Sequence, residues 1–156
     1  MQVFLSVNGD VQLNRQLLRV GENAADLKPA FEVISRLWIG ETKLQFASQG
    51  AHASGGWKPL NPATVLAKRR KHLRPEILQA TKRLMFSLTY KGSSDMVLNI
   101  GADQLEYGSK VPYVGAHQNP RPGSRLPQRR PVEFTETARK ETVKVLQKWV
   151  MTGELA

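Results

Sequence analysis

The chain has 156 residues, with 23 Lys and Arg against 13 Asp and Glu, and a formal net charge of +10 with neutral histidines. That length suits one domain over residues 1–156, and 40% hydrophobic residues with 12 Gly and 9 Pro exclude a wholly disordered chain. The absence of Cys removes disulfide scaffolds, thiolate zinc sites, iron–sulfur clusters and thiol catalysis together.

Residues 1–7 alternate loosely (Val3, Leu5, Val7) and meet Asn8-Gly9, which predicts a strand closed by a turn. Beyond it, Asp10 caps a helix with Val11, Asn14, Leu17 and Leu18 on one face, or Val11 and Leu13 begin the second arm of a hairpin; the helix is preferred. A longer helix is expected from about Asp26, with Pro29 in its first turn and Phe31, Ile34, Leu37, Trp38 and Leu44 at three- and four-residue steps, ending near Gln49-Gly50. Gly50 to Gly56 reads as a flexible loop. Asn61 then caps a helix with Pro62 at its first position, running to about His72. Another helix is predicted from about Pro75 to Leu88, with Ile77, Thr81, Leu84, Met85 and Leu88 on one side.

Past Tyr90 the period changes. Met96, Leu98 and Ile100 alternate, and so do Leu105 and Tyr107, which predicts two paired strands. Tyr113 to His117 is a short bridging piece. Asn119 to Pro131 holds four Pro, one Gly and four Arg in thirteen residues and reads as a long exposed loop. Val132 and Phe134 fit a last strand, and Thr135 caps a C-terminal helix with Val143, Leu146, Trp149 and Val150 on its face. The expected class is α+β: a small, mostly antiparallel sheet packed with helices, with long extended loops at about 50–56 and 119–131.

The positive charge is local. Residues 57–91 hold nine basic residues against the single acid Glu76, a net +8, and residues 119–131 add Arg121, Arg125, Arg129 and Arg130 with no acid. The run Lys68, Arg69, Arg70, Lys71 lies in a predicted helix, so its charges sweep most of the circumference. They are either solvated or turned toward DNA phosphate or an acidic protein surface.

Chemical motifs are sparse. Gly50 and Gly55 have the spacing of a phosphate loop, but Gly56 and Trp57 stand where Lys and Ser or Thr are required. His52, His72 and His117 lack metal-ligand spacing, no GxSxG elbow occurs, and no carboxylate pair stands out. The reading is of a non-enzyme with no cofactor and no metal. No apolar run approaches the ~18 residues of a membrane span, and the opening lacks the basic segment of a secretory signal, so synthesis in the cytosol and no membrane contact are expected.

Five blocks occur in order: Phe46-Ala47-Ser48-Gln49-Gly50; Gly56-Trp57-Lys58-Pro59-Leu60-Asn61-Pro62-Ala63-Thr64; Ile77-Leu78-Gln79-Ala80-Thr81-Lys82-Arg83-Leu84 with Ser87-Leu88; Pro112-Tyr113-Val114-Gly115-Ala116-His117-Gln118; and Leu126-Pro127-Gln128-Arg129-Arg130-Pro131. Together they resemble the bacteriophage virion morphogenesis family, the tail completion proteins of Mu-like and related tailed phages. Lys82 stands where that family often has Gly, and Gln128 to Pro131 varies its usual ending. The resemblance implies a structural virion protein at the neck, completing the tail end and joining tail to head as part of a ring, commonly hexameric. Its implied partners are copies of itself, other neck and tail tube proteins and, as an open alternative, genomic DNA in the channel. Lys68, Arg69, Arg70, Lys71, Arg121, Arg125, Arg129 and Arg130 are candidates for subunit or DNA contact. Trp57, Pro59, Leu60, Tyr113 and His117 are expected to pack the domain, with interface contact as the other reading. The competing function is sequence-independent nucleic-acid binding.

Overall fold

The computed structural model of the protein describes residues 11–155, so the expected strand over 1–7, its Asn8-Gly9 turn and the Asp10 cap lie outside the described residues. Within them run helices α1 (Val11–Ala25), α2 (Lys28–Ala47), α3 (Ala51–Ser54), α4 (Pro62–Arg70) and α5 (Arg83–Thr89), strands β1 (Met96–Ile100) and β2 (Leu105–Ser109), then α6 (Val114–Gln118) and α7 (Glu136–Thr152). The strands form a two-stranded antiparallel hairpin in the register Leu98 opposite Tyr107. The class is therefore α+β with a small sheet, as the alternation predicted.

The long helix α2 is the spine. Pro29 sits in its first turn, Asp26 accepts a hydrogen bond from the Lys28 N–H at 3.1 Å, and the Leu27 N–H reaches the Ala102 carbonyl in the hairpin turn at 2.8 Å. Ala30, Phe31, Ile34, Ile39 and Phe46 are buried along it, whereas Leu44, placed by periodicity on the same face, is half exposed. Phe46 meets Trp57 edge to face at 5.5 Å, and Leu84, Leu88 and Val111 complete the central cluster. Tyr107 from β2 donates to the Leu88 carbonyl at 2.6 Å and lies 2.9 Å from Thr42 Oγ1, joining hairpin, α5 and α2.

Helix α7 packs along α2. Thr135 caps it by accepting from the Ala138 N–H at 3.1 Å, while its hydroxyl donates to Glu41 at 2.8 Å. Trp38 donates to Thr142 at 3.1 Å and stacks on Phe134 at 5.1 Å. Leu146, Trp149 and Val150 are half-buried on α7 as expected, whereas Val143 is exposed and Thr142 and Val145 are half-buried in its place. Helix α1 forms as preferred over the hairpin alternative, but none of its residues is buried. It is tied to α7 near its end, where Asn23 donates to the Val150 carbonyl and accepts from the Trp149 indole.

Three expectations are corrected. The segment 50–56 is not a flexible loop: α3 is a helical turn between Gly50 (φ 87°) and Gly55 (φ 69°), Gln45 accepts from the Ala53 N–H at 3.0 Å, and Gly50 is buried against the Trp57 indole. The helix expected over 75–88 begins only at Arg83. Leu78 and Lys82 adopt left-handed φ of 59°, which breaks a helical run there; the segment is held instead by the Gln49 carboxamide oxygen, which accepts from the Ile77 N–H at 2.6 Å, and by the Gln79 side-chain amide, which donates to the Phe46 carbonyl at 3.1 Å. Val132 and Phe134 form no strand, since the Gln118 carboxamide takes the place of a strand partner, accepting from the Val132 N–H at 3.2 Å and donating to its carbonyl at 2.8 Å.

Candidate functional site

The basic residues separate into two kinds once folded. Asn61 caps α4 by accepting from the Ala63 N–H at 2.9 Å, with Pro62 at the first position as predicted. At the other end Arg69, Arg70 and Lys71 are exposed, where cations suit the negative end of the helix dipole. Lys68 turns the other way. Its ammonium donates to the Glu76 carbonyl at 2.8 Å, and burial lowers its pKa, with Glu76 opposing and Arg129 adding to the shift.

The segment 119–131 divides in the same manner. Arg121 and Arg125 are exposed, as expected of a loop. Arg129 is only 7% exposed: its Nε donates to the Lys58 carbonyl at 2.9 Å and its Nη2 to the Pro59 carbonyl at 3.2 Å. Burial lowers its pKa. The reading of the whole stretch as exposed is thus corrected over its last residues, where Arg129 and Pro131 pack into the domain and Arg129 clamps 58–59. Arg130 points outward and pairs with Glu133 at 3.1 Å, while its carbonyl accepts from the Trp57 indole at 3.1 Å.

Among the residues expected to pack, Trp57 is core, at 5% exposed. Pro59 is exposed, Leu60 half-buried and Tyr113 exposed, with the Tyr113 ring set edge to face on His117 at 6.2 Å. Burial first, and the Arg129 charge second, lower the His117 pKa, so the imidazole is held neutral. Its Nδ1 is buried with no hydrogen-bond partner among the described residues.

These pieces meet around a cleft of about 630 Å³ between α4, the turns at 77–81, α6 and residues 125–129. Leu60, Ile77, Leu126 and Pro127 supply apolar wall. Lys58, Lys68, Arg125 and Arg129 supply four cations, and no carboxylate among the described residues lines it. Thus Lys68, Arg125, Arg129, Pro59, Leu60, Tyr113 and His117 converge on one site, whereas Arg69, Arg70, Lys71, Arg121 and Arg130 lie outside it. Sequence reasoning missed Lys58, Ile77 and Leu126 as members. Only their place within the quoted blocks pointed to them, since a cleft built from four separated segments has no spacing to read.

A second arrangement joins residues far apart in the chain. Glu41 accepts from both the N–H and the hydroxyl of Thr135, at 3.2 and 2.8 Å, and lies 3.2 Å from His52 Nε2. Burial alone would raise the Glu41 pKa; the hydrogen bonds from Thr135 and His52 overcome that and lower it. The hydroxyl bonds the carboxylate rather than the imidazole, so the group fastens α7 to α2 and is not a nucleophile–base pair. Among the described residues no three His, Asp or Glu side chains are placed to hold a metal, and no helix is long and apolar enough to cross a membrane.

No curated protein and no solved structure matches the chain significantly. The sequence model of the phage virion morphogenesis family does, over residues 9–151, which takes in the whole cleft and every described element except the last residue of α7, Thr152. With more than nine-tenths of its length matched, the chain belongs to the phage virion morphogenesis family, and its role is in building the phage particle.

Proposed function

We propose that the protein acts at the neck of a Mu-like tailed phage, completing the tail end so that it joins the filled head, as one subunit of a closed six-membered ring and without catalysis. The observation that carries this reading is the family match over 9–151. The surface supports it. Arg69, Arg70 and Lys71 at the end of α4, and Arg121 and Arg125 in the long loop, are exposed cations on a small core; the arginines suit forked contacts with carboxylates or phosphates of neighbours and Lys71 a simple ion pair. Proline at 120, 122 and 127 limits the entropy lost when that loop orders against a partner.

Assembly acts through interface free energy, so its loss leaves upstream products intact. Electron microscopy of lysates from a phage lacking this chain should show DNA-filled heads and tails with defective ends accumulating apart. Normal infectious particles would refute the assignment, and empty heads as the sole defect would place the protein in DNA packaging.

The same exposed cations support a second reading, a sequence-independent nucleic-acid-binding protein that acts without assembly. It requires an affinity that ignores base sequence and falls steeply with salt. Changing Arg69, Arg70 and Lys71 to Gln should then weaken retention on duplex DNA at low salt, and an unchanged salt profile would discard this reading.

A further inference from the structure

From the cleft beside α4, we infer that the protein carries a docking site for an acidic, partly apolar peptide segment of another virion protein. The inference rests on the assembly reading and names the chemistry of one partner.

Its ground is an imbalance of charge. Lys58, Lys68, Arg125 and Arg129 line the cleft, and none of them forms an ion pair among the described residues. Glu76 lies outside the lining, 3.9 Å from Arg74, and its charge only partly offsets the burial of Lys68. A cation removed from water is unfavourable until an anion compensates it, and Arg129 is more than nine-tenths buried with hydrogen bonds only to neutral carbonyls. Those two bonds also hold the guanidinium plane fixed, leaving three of its five N–H groups for another acceptor. A fork fixed in advance loses little entropy when a carboxylate arrives.

The shape selects between anions. Duplex DNA presents phosphates on a convex cylinder and is met by cations that reach outward, which Arg69, Arg70 and Lys71 do. Arg129 is buried and Lys68 half-buried, and they share the cleft lining with the apolar side chains of Leu60, Ile77, Leu126 and Pro127. A narrow chain that offers a carboxylate to the floor and an aliphatic side chain to the wall satisfies both, and a phosphate backbone satisfies only the first. Lys58 and Arg125, exposed at the mouth, would steer such a segment in.

The test is fluorescence polarisation with the full chain and a labelled short peptide of alternating Glu and Leu. The same peptide with Gln for Glu should bind about tenfold more weakly or worse. The double variant Lys58→Glu with Arg125→Glu changes exposed mouth residues, and circular dichroism checks its fold; it should lose about tenfold or more in affinity. Arg70→Glu with Arg121→Glu makes the same charge change outside the cleft and should stay within about twofold, because exposed charges at a distance are screened. Equal losses in the two double variants, displacement of the peptide by duplex DNA, or no binding of the Glu–Leu peptide would each overturn the inference. Failure here with heads and tails still unjoined in deletion lysates would remove the cleft assignment and leave the assembly reading standing.

Discussion

Replacing Arg129 with Met separates a clamp from a surface contact. The side chain volume is nearly kept, the backbone bond from the Arg129 N–H to the His117 carbonyl at 3.1 Å is untouched, and the donors to the Lys58 and Pro59 carbonyls are lost. Two hydrogen bonds from a charged donor are worth about 3–6 kcal/mol together. Relief of the buried charge offsets part of this, since burial already disfavours the cation. The expected net destabilisation is about 2–3 kcal/mol, which for a chain of this size lowers Tm by roughly 5–10 °C. Arg129→Lys keeps a charge but not the fork, and should fall between Met and wild type. Arg121→Met, on an exposed residue, should stay within about 0.5 kcal/mol of wild type. Urea and thermal unfolding followed by circular dichroism give these values, and hydrogen exchange at 57–61 should quicken in Arg129→Met. If Arg129→Met matches Arg121→Met in both Tm and exchange, the buried fork contributes nothing and the clamp is wrong.

Gly50→Ala forces a side chain into a left-handed backbone (φ 87°) and against the Trp57 indole, and should cost about 2–5 kcal/mol in urea unfolding, with loss of native Trp fluorescence. Thr135→Ala removes the α7 cap and the hydroxyl bond to Glu41, a loss of about 1–2 kcal/mol by the same measurement. Because the folded pKa of Glu41 lies below its ordinary 4.5, its stabilisation is present above that pH and is lost as pH falls through the lower, folded value; Glu41→Gln should flatten the acid limb of Tm against pH. Burial, partly opposed by the bond with Thr42, pushes Tyr107 up to about 12, so its neutral form stabilises the fold below pH about 10 and this is lost toward 12; ultraviolet titration should show a phenolate step near 12 that Tyr107→Phe removes.

The elements that were legible are those whose signal is local. Asn61-Pro62 and Thr135 each start a helix because the cap and the first turn lie within four residues. The hairpin followed from period-two alternation on both sides of Gly101. What failed to show depends on residues distant in the chain. The run 75–88 has helical periodicity, yet Gln49, about thirty residues earlier, binds the Ile77 N–H, the Gln79 side chain reaches back to the Phe46 carbonyl, and left-handed backbone at Leu78 and Lys82 delays the helix until Arg83. Lys82 is instructive, for it keeps the left-handed turn (φ 59°) that a Gly in the family block would adopt freely, and its ammonium sits over the Phe86 ring at 5.7 Å. That contact is worth about 0.5–1 kcal/mol at an exposed site, of the order of the left-handed penalty it accompanies. The eight basic candidates likewise rest on composition, which cannot tell a solvated guanidinium from a buried one. Arg129 and Arg130 are adjacent, and one is inside because carbonyls at 58 and 59 face it while the other meets Glu133. The distinction bears on function. Exposed cations can be exchanged among phosphate, carboxylate and water with little consequence for the fold, whereas Lys68 and Arg129 bond backbone carbonyls as well as lining the cleft, so a change there would disturb the fold along with any contact the cleft makes. A contact surface in this protein is therefore probed at Lys58 and Arg125, where the fold does not depend on the charge.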